Sequence, residues 1–396
     1  MTGAQRTYAI QVSAMYGALF AVYGVQLPFM GVWLESAGFT AASIGLVMAL
    51  PAVLRLVANP MIAMAADAGG AHARYVVALS VIGSLSAVAL LASAHWFWIA
   101  ISVAVLLVSL QSAMPLVEVI AMRGVRSLSL DYGRMRLWGS LTFIGGTMLG
   151  GAALEQAGVS VFPWLLLVTA IATATAAVFL PRATNRSVAS REREPRSAPV
   201  SKLIDRESLR ALVADRTLVL FLVGASAIQA SHAVYYAFSA VHWMKLGIGS
   251  DVVGILWSLG VVAEILLFAV SGRAVRMFGA TGLLAVGAIA GIVRWGVMAF
   301  DPTGLGLVAL QILHAATFGA THLAAMSIIS ERVPEARSGL AQALFATFTS
   351  GVAMAGGLYA AGVLYGWVGA TSYWAMSGLA AIGLLAAALS RWRDRR

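Results

Sequence analysis

The chain has 396 residues, 60% of them hydrophobic and only 11% charged, and its mean hydropathy is +0.88. A soluble chain carries roughly a quarter charged residues, so no core in water can hide this much apolar surface and lipid must take it up. The absence of cysteine excludes disulfides and thiolate metal sites. The formal charge of +10 does not mark a nucleic-acid binder, because the basic residues are scattered over loops.

In chain order, twelve apolar segments read as transmembrane helices, at roughly 8–33, 41–65, 75–93, 97–121, 136–155, 161–180, 217–243, 252–270, 280–299, 304–329, 339–363 and 371–390. Each approaches the roughly 17–25 residues that cross a bilayer as helix. The first run continues to Trp33, too long for the core of a cleavable signal. Between the sixth and seventh spans lies one long polar stretch, Arg182–Arg216, which includes Arg191, Glu192, Arg193, Glu194, Pro195 and Arg196. It reads as a cytoplasmic linker with one surface helix. The expected architecture is therefore all-α and integral to the membrane. Residues 1–180 form a first six-helix bundle, 181–216 the linker and 217–396 a second bundle. Equal halves around a charged linker suggest an internal duplication.

Lysine and arginine set the topology. With the N-terminus inside, all of the 26 basic residues except Lys245, Arg55 and Arg294 fall on cytoplasmic loops and tails. That asymmetry predicts both termini in the cytoplasm. Trp33, Trp96, Trp98 and Trp243 lie at span ends, as interface anchors do.

Charges at bilayer depth cost several kcal/mol by insertion scales and normally face a partner or a wet cavity. Five lie in or at the edge of spans: Arg55, Glu118, Arg136, Glu264 and Arg294. His232, His314 and His322 add titratable groups, while His72, His95 and His242 lie in or near loops and are expected in solvent. The three arginines outnumber the two carboxylates, and a negatively charged solute would complete the set. Such a solute moves inward against an inside-negative potential, at about 2.3 kcal/mol per charge per 100 mV. Uptake therefore needs a co-transported cation, and Glu264, His314 and His322 are groups that could carry a proton. No phosphate-binding GxxxxGK[ST] loop and no metal-ligand spacing occurs, so neither an enzyme, an ATP-driven pump nor a cofactor is expected.

Particular strings carry a resemblance. The run Leu130-Asp131-Tyr132-Gly133-Arg134-Met135-Arg136-Leu137-Trp138-Gly139 resembles the start of helix 5 in lactose permease and its relatives in the major facilitator superfamily. An acidic residue, Glu118, lies eighteen positions before Arg136, as it does there. Glu264, then Arg294 in Val293-Arg294-Trp295-Gly296, then His314 twenty residues later, match the positions of the coupling network in those carriers. The resemblance implies twelve helices in two pseudo-symmetric six-helix bundles, with Glu118 and Arg136 a facing pair in a central cavity. The departures point away from sugars. Thr317 stands where lactose permease has a glutamate, Leu267 where it has a sugar-binding asparagine, and Phe143 where its stacking aromatic is tryptophan.

A second set of strings is similar to the phenylpropionate permease family of proton symporters. It comprises Ser231-His232-Ala233-Val234-Tyr235-Tyr236, Leu256-Trp257-Ser258-Leu259-Gly260, Gln311-Ile312-Leu313-His314 and Thr321-His322-Leu323-Ala324, with Arg55 also shared. This resemblance implies a proton symporter of an aromatic monocarboxylate such as 3-phenylpropionate in a bacterial inner membrane, functional as a monomer. Either Arg55 or Arg136 would bind the carboxylate beside Glu118, and Phe143, Tyr235 and Tyr236 would touch the ring. Glu264, with Arg294, His314 and His322, would handle the proton. Asp67, in a reduced form of the superfamily's gate motif, Asp67-Ala68-Gly69-Gly70 with Arg74 downstream, would gate. A sugar or nucleoside symporter and a drug or metabolite efflux carrier are the alternatives.

Overall fold

A computed structural model describes residues 1–181 and 206–394. The expected linker at 181–216 falls mostly outside the described residues; of the part inside them, Arg206–Ala214 is helical. The helices are α1 (Gly3–Ser36), α2 (Ala41–Ala68), α3 (His72–Ala92), α4 (Trp96–Leu128), α5 (Tyr132–Ala157), α6 (Phe162–Val178), α7 (Arg206–Ala214), α8 (Arg216–Ala230), α9 (Ala233–Lys245), α10 (Ser250–Ala269), α11 (Ser271–Met298), α12 (Gly304–Ile312), α13 (Thr321–Arg332), α14 (Glu335–Ala346), α15 (Met354–Val368) and α16 (Tyr373–Asp394). Two π-helical segments, Ala315–Ala320 and Thr347–Ala353, join α12 to α13 and α14 to α15.

Eleven stretches among the described residues are long and apolar enough to cross a membrane. The last, Glu335–Arg393, has 59 residues and turns at Gly369–Ser372. One crossing needs about 20 residues, so this stretch holds two, and the twelve expected spans are present. Mid-helix Leu85 and Leu149 are 64% and 74% exposed. In lipid such exposure is ordinary, and backbone polar groups are satisfied inside each helix.

Local chemistry explains where the helices begin and bend. Asp131 caps α5 by accepting from the Arg134 amide at 3.1 Å. Asp215 caps α8 through the amides of Thr217 and Leu218 and also pairs with Arg332 on α13. The ninth span was expected from 280, but α11 starts at Ser271. Gly279, at φ 63°, joins the short basic turn Ser271–Phe278 to the span proper. Between α8 and α9 the chain tightens at Ser231 and His232, where the His232 amide reaches back only to the Gln229 carbonyl, at 3.2 Å.

The chain forms two compact units. The first collects Met1–Phe39, Trp243–Ile255 and the described part of Val53–Pro199. Within it α1 lies along α5 so closely that the backbone of Phe143 sits under Gly24, where a Cβ would strike its carbonyl. The second unit collects Thr40–Ala52, His242 with the described residues before it back to Arg206, and the described part of Leu256–Arg396. Its core includes Phe221 and Ile228 of α8, Leu284 of α11 and Ile329 of α13. Also in this unit, the first turns of α2 meet α15. A Cβ on Gly45 would fall 2.6 Å from the Leu358 carbonyl oxygen and 2.7 Å from Gly362 Cα. Small residues permit such contact between membrane helices.

Candidate functional site

In the first unit, Arg136 lies over the ring of Phe20, its guanidinium carbon 4.0 Å from the ring centroid and 5.7 Å from that of Tyr16. Phe20 stands edge-on to Tyr23 at 5.3 Å. Tyr16, Phe20 and Tyr23 recur at helical spacing, which puts all three on one face of α1. The Tyr23 hydroxyl donates to the Leu110 carbonyl at 3.1 Å and sits in the electrostatic field of both Arg55 and Arg136. Two cations from α2 and α5 thus converge on one aromatic stripe.

The facing pair of Glu118 and Arg136 is not an ion pair. No ion pair among the described residues joins them; Glu118 instead accepts from the Tyr132 hydroxyl at 3.2 Å. Tyr132 lies in the field of both charges, so they share one neighbourhood. Phe143 is buried, and its backbone serves the contact with α1 rather than presenting a free face. A groove of about 970 Å³, lined among others by Ile10, Ala14, Arg134 and Trp138, runs between the N-terminal parts of α1 and α5. Its walls do not include Arg136, Phe20 or Tyr23, so it is separate from the arginine site.

Asp67 ends α2, and its carboxylate meets His72 Nε2 at 2.8 Å. Arg123 of α4 donates to His72 Nδ1 at 3.3 Å. His72, expected in solvent, is 2% exposed and ties three helices together. The ring points inward although its residue opens α3. His242, also expected in solvent, is largely covered between the Tyr365 hydroxyl at 3.0 Å and Asp301 at 2.7 Å. His95 is exposed as expected and caps α4.

In the second unit, Arg294 is completely buried. One terminal nitrogen donates to His314 Nδ1 and to Thr317 Oγ1, both at 3.1 Å; the other donates to Gln311 Oε1 at 3.2 Å. The rings of Tyr235 and Trp295 cover it at 4.7 and 4.5 Å, and its Nε has no hydrogen-bond partner among the described residues. Every one of these hydrogen-bond partners is neutral, so the aromatic faces carry much of the compensation for a buried cation. His314 Nε2 stands 3.7 Å from Glu264 Oε2. Tyr235 is sealed against Trp257 at 4.5 Å, and Tyr236 stacks on His232 at 5.5 Å.

The structure thus brings Glu264, Arg294, His314 and both tyrosines into one network. His322 stands apart, with its ring edge-on to Phe268 at 6.5 Å. Sequence reasoning missed Phe20, Tyr23, Tyr132 and Thr317 as members of the two sites, and left His232 out of the network it occupies. The regular spacing on α1 was the available signal for the first two. Among the described residues no cluster of His, Cys, Asp and Glu could hold a metal.

The chain is 33% identical over 366 residues to the "Probable 3-phenylpropionic acid transporter" of Escherichia coli (strain K12), covering 91% of this chain and 92% of that one. It is 25% identical over 339 residues to the maltose permease of Geobacillus stearothermophilus, covering 85% and 82%. Among solved structures, the nucleoside transporter NupG superposes with a TM-score of 0.81 at 17% identity, covering 97% of this chain and 98% of that one. The D-xylose-proton symporter superposes with 0.70 at 14%, covering 97% of each. A model of the MFS_1-like family matches residues 9–376. With buried charges on apolar helices, transporter relatives along its whole length and a family match this long, the chain belongs to the MFS_1-like family of the major facilitator superfamily and is a multi-pass membrane protein and secondary transporter, not an enzyme.

Proposed function

We propose that this transporter imports a small organic anion, an aromatic monocarboxylate such as 3-phenylpropionate, together with a proton. The observation that carries the reading is Arg136, held on the face of Phe20 with no carboxylate at ion-pair distance among the described residues, beside a tyrosine that also feels Arg55. Arginine suits a carboxylate because its fork of donors matches both oxygens. The neighbouring rings of Phe20 and Tyr23 suit an aromatic tail. The 33% identical relative, a probable 3-phenylpropionic acid transporter by name, supports the same class.

Glu264 is the proton carrier in this reading. It is the carboxylate beside the Arg294–His314 network and is mostly covered, at 18% exposure. His314 faces Arg294 with one nitrogen and Glu264 with the other, and so conveys the state of one to the other. Transport proceeds by alternating access, with Asp67 and its histidine partner as a gate. The protein acts as a monomer in a bacterial inner membrane with both termini in the cytoplasm, which terminal reporter fusions test.

The deciding experiment is uptake of 3-phenylpropionate into proteoliposomes with and without an imposed inward proton gradient. Gradient-dependent accumulation is expected. If no aromatic acid accumulates, the substrate assignment falls. A sugar is the second reading, on the strength of the maltose permease relative; protection against thermal unfolding by maltose but not by carboxylates would replace the first reading with it.

A further inference from the structure

We propose that Thr317 is a positioning residue of the transport cycle. Its hydroxyl anchors the Arg294 guanidinium against His314 and so fixes which nitrogen of His314 presents a hydrogen to Glu264. The inference rests on Glu264 as the proton carrier but concerns a residue that reading does not use.

The hydrogens can be assigned one by one. Arginine has donors only, so His314 Nδ1, 3.1 Å from Arg294, is an acceptor and the ring's hydrogen is on Nε2. That nitrogen faces Glu264, at 3.7 Å. The same terminal nitrogen of Arg294 donates to Thr317 Oγ1 at 3.1 Å. Having accepted there, the hydroxyl has one hydrogen left to give. Two acceptors lie within its reach, His232 Nε2 at 3.0 Å and the His314 carbonyl oxygen at 3.3 Å, and the shorter contact takes it. His232 is able to accept because its other nitrogen, 3.1 Å from the carbonyls of Ile228 and Gln229, must be the donor there. Those carbonyls belong to the tightened turn between α8 and α9.

A chain of defined direction results, from Arg294 through Thr317 to His232, with His314 held on the same guanidinium nitrogen. Arg294, Thr317 and His232 are all 0% exposed. Without the hydroxyl, a guanidinium hydrogen and an imidazole nitrogen would be stranded where bulk water does not reach. The guanidinium would turn to find a partner, and His314 would lose its fixed tautomer. The charged or titratable groups around His314 are Arg294, Glu264, His232 and Tyr235. Thr317 links Arg294 and His232 through hydrogen bonds to both.

The test uses the full-length transporter in lipid nanodiscs with isotope-labelled histidine. Imidazole nitrogen resonances report the tautomer, and His314→Gln assigns the signal. The wild-type protein is expected to show His314 with hydrogen on Nε2. Thr317→Val is expected to replace that signal by a mixture and to lower kcat for gradient-driven uptake by roughly ten- to a hundred-fold, the fold-change that corresponds to losing a hydrogen bond to a charged group. KM should change little, and Thr317→Ser should restore both readouts.

A wild-type spectrum with hydrogen on Nδ1 overturns the proposal, whatever the variants do. So does a Thr317→Val protein with the wild-type tautomer, or a Thr317→Ser protein as impaired as Thr317→Val. If Thr317→Val does not fold, Thr317→Ala carries the same readouts. Should the wild-type protein accumulate no aromatic acid, the functional reading fails, and the spectra still decide the tautomer.

Discussion

Two histidines, one in each unit, occupy the same chemical position with different outcomes. His72 has Arg123 on Nδ1 and Asp67 on Nε2; His314 has Arg294 on Nδ1 and Glu264 on Nε2. The first relay is closed, with the carboxylate at 2.8 Å and a ring 2% exposed. The second is open, at 3.7 Å with a ring 12% exposed. A closed relay at the ends of three helices holds them in register. An open one in the middle of spans does not tie its carboxylate to the histidine by a short hydrogen bond. In the proposed mechanism the difference separates a clasp from a coupling device, although both are built from the same three residue types.

That contrast can be broken in order of effect. Glu264→Gln, which keeps shape but cannot ionise, should abolish accumulation of substrate against a gradient, a loss of at least roughly ten-fold, while counterflow exchange persists; proteoliposome assays read both. Unchanged accumulation would remove Glu264 from the proton role. Arg136→Lys should come next. The ammonium keeps the charge but loses the planar fork and its stacking on Phe20, and KM for a carboxylate should rise by roughly ten-fold. Asp67→Asn should act on the clasp alone, through a charge-assisted hydrogen bond of about 1.5–3 kcal/mol. It should lower the thermal midpoint and alter transport rate while sparing the proton dependence. Smallest is His95→Ala, where an exposed ring caps one helix, expected to cost about 0.5–1 kcal/mol in thermal unfolding with normal uptake.

Much of the fold was legible because hydropathy integrates over twenty residues and tolerates local error. The sum does not see where a helix bends, so Gly279 and the tight turn at Ser231 and His232 escaped it. The site was legible wherever burial is expensive, which is why Arg55, Glu118, Arg136, Glu264 and Arg294 stood out. Aromatic residues cost nothing in a membrane span, so Phe20 and Tyr23 gave no such signal. Side-chain direction was the other blind spot. His72 and His242 lie next to loops in sequence, and only the fold turns their rings inward. Glu118 and Arg136, expected to face each other, share the neighbourhood of Tyr132, but what each touches was not legible: a tyrosine hydroxyl meets the one and an aromatic face the other.

The contact between Gly45 and Gly362 changes how a mutational scan of this protein must be read. Scanning by alanine assumes that alanine is the neutral, subtractive letter. At this seam it is additive, since a single methyl on Gly362 would lie 2.6 Å from the Ala41 carbonyl oxygen and 2.8 Å from Gly45 Cα. Two backbones that meet without side chains also carry no rotamers to reorder when they part. The seam can therefore be lost to the smallest substitution in the genetic code, while its own closure costs almost no side-chain entropy.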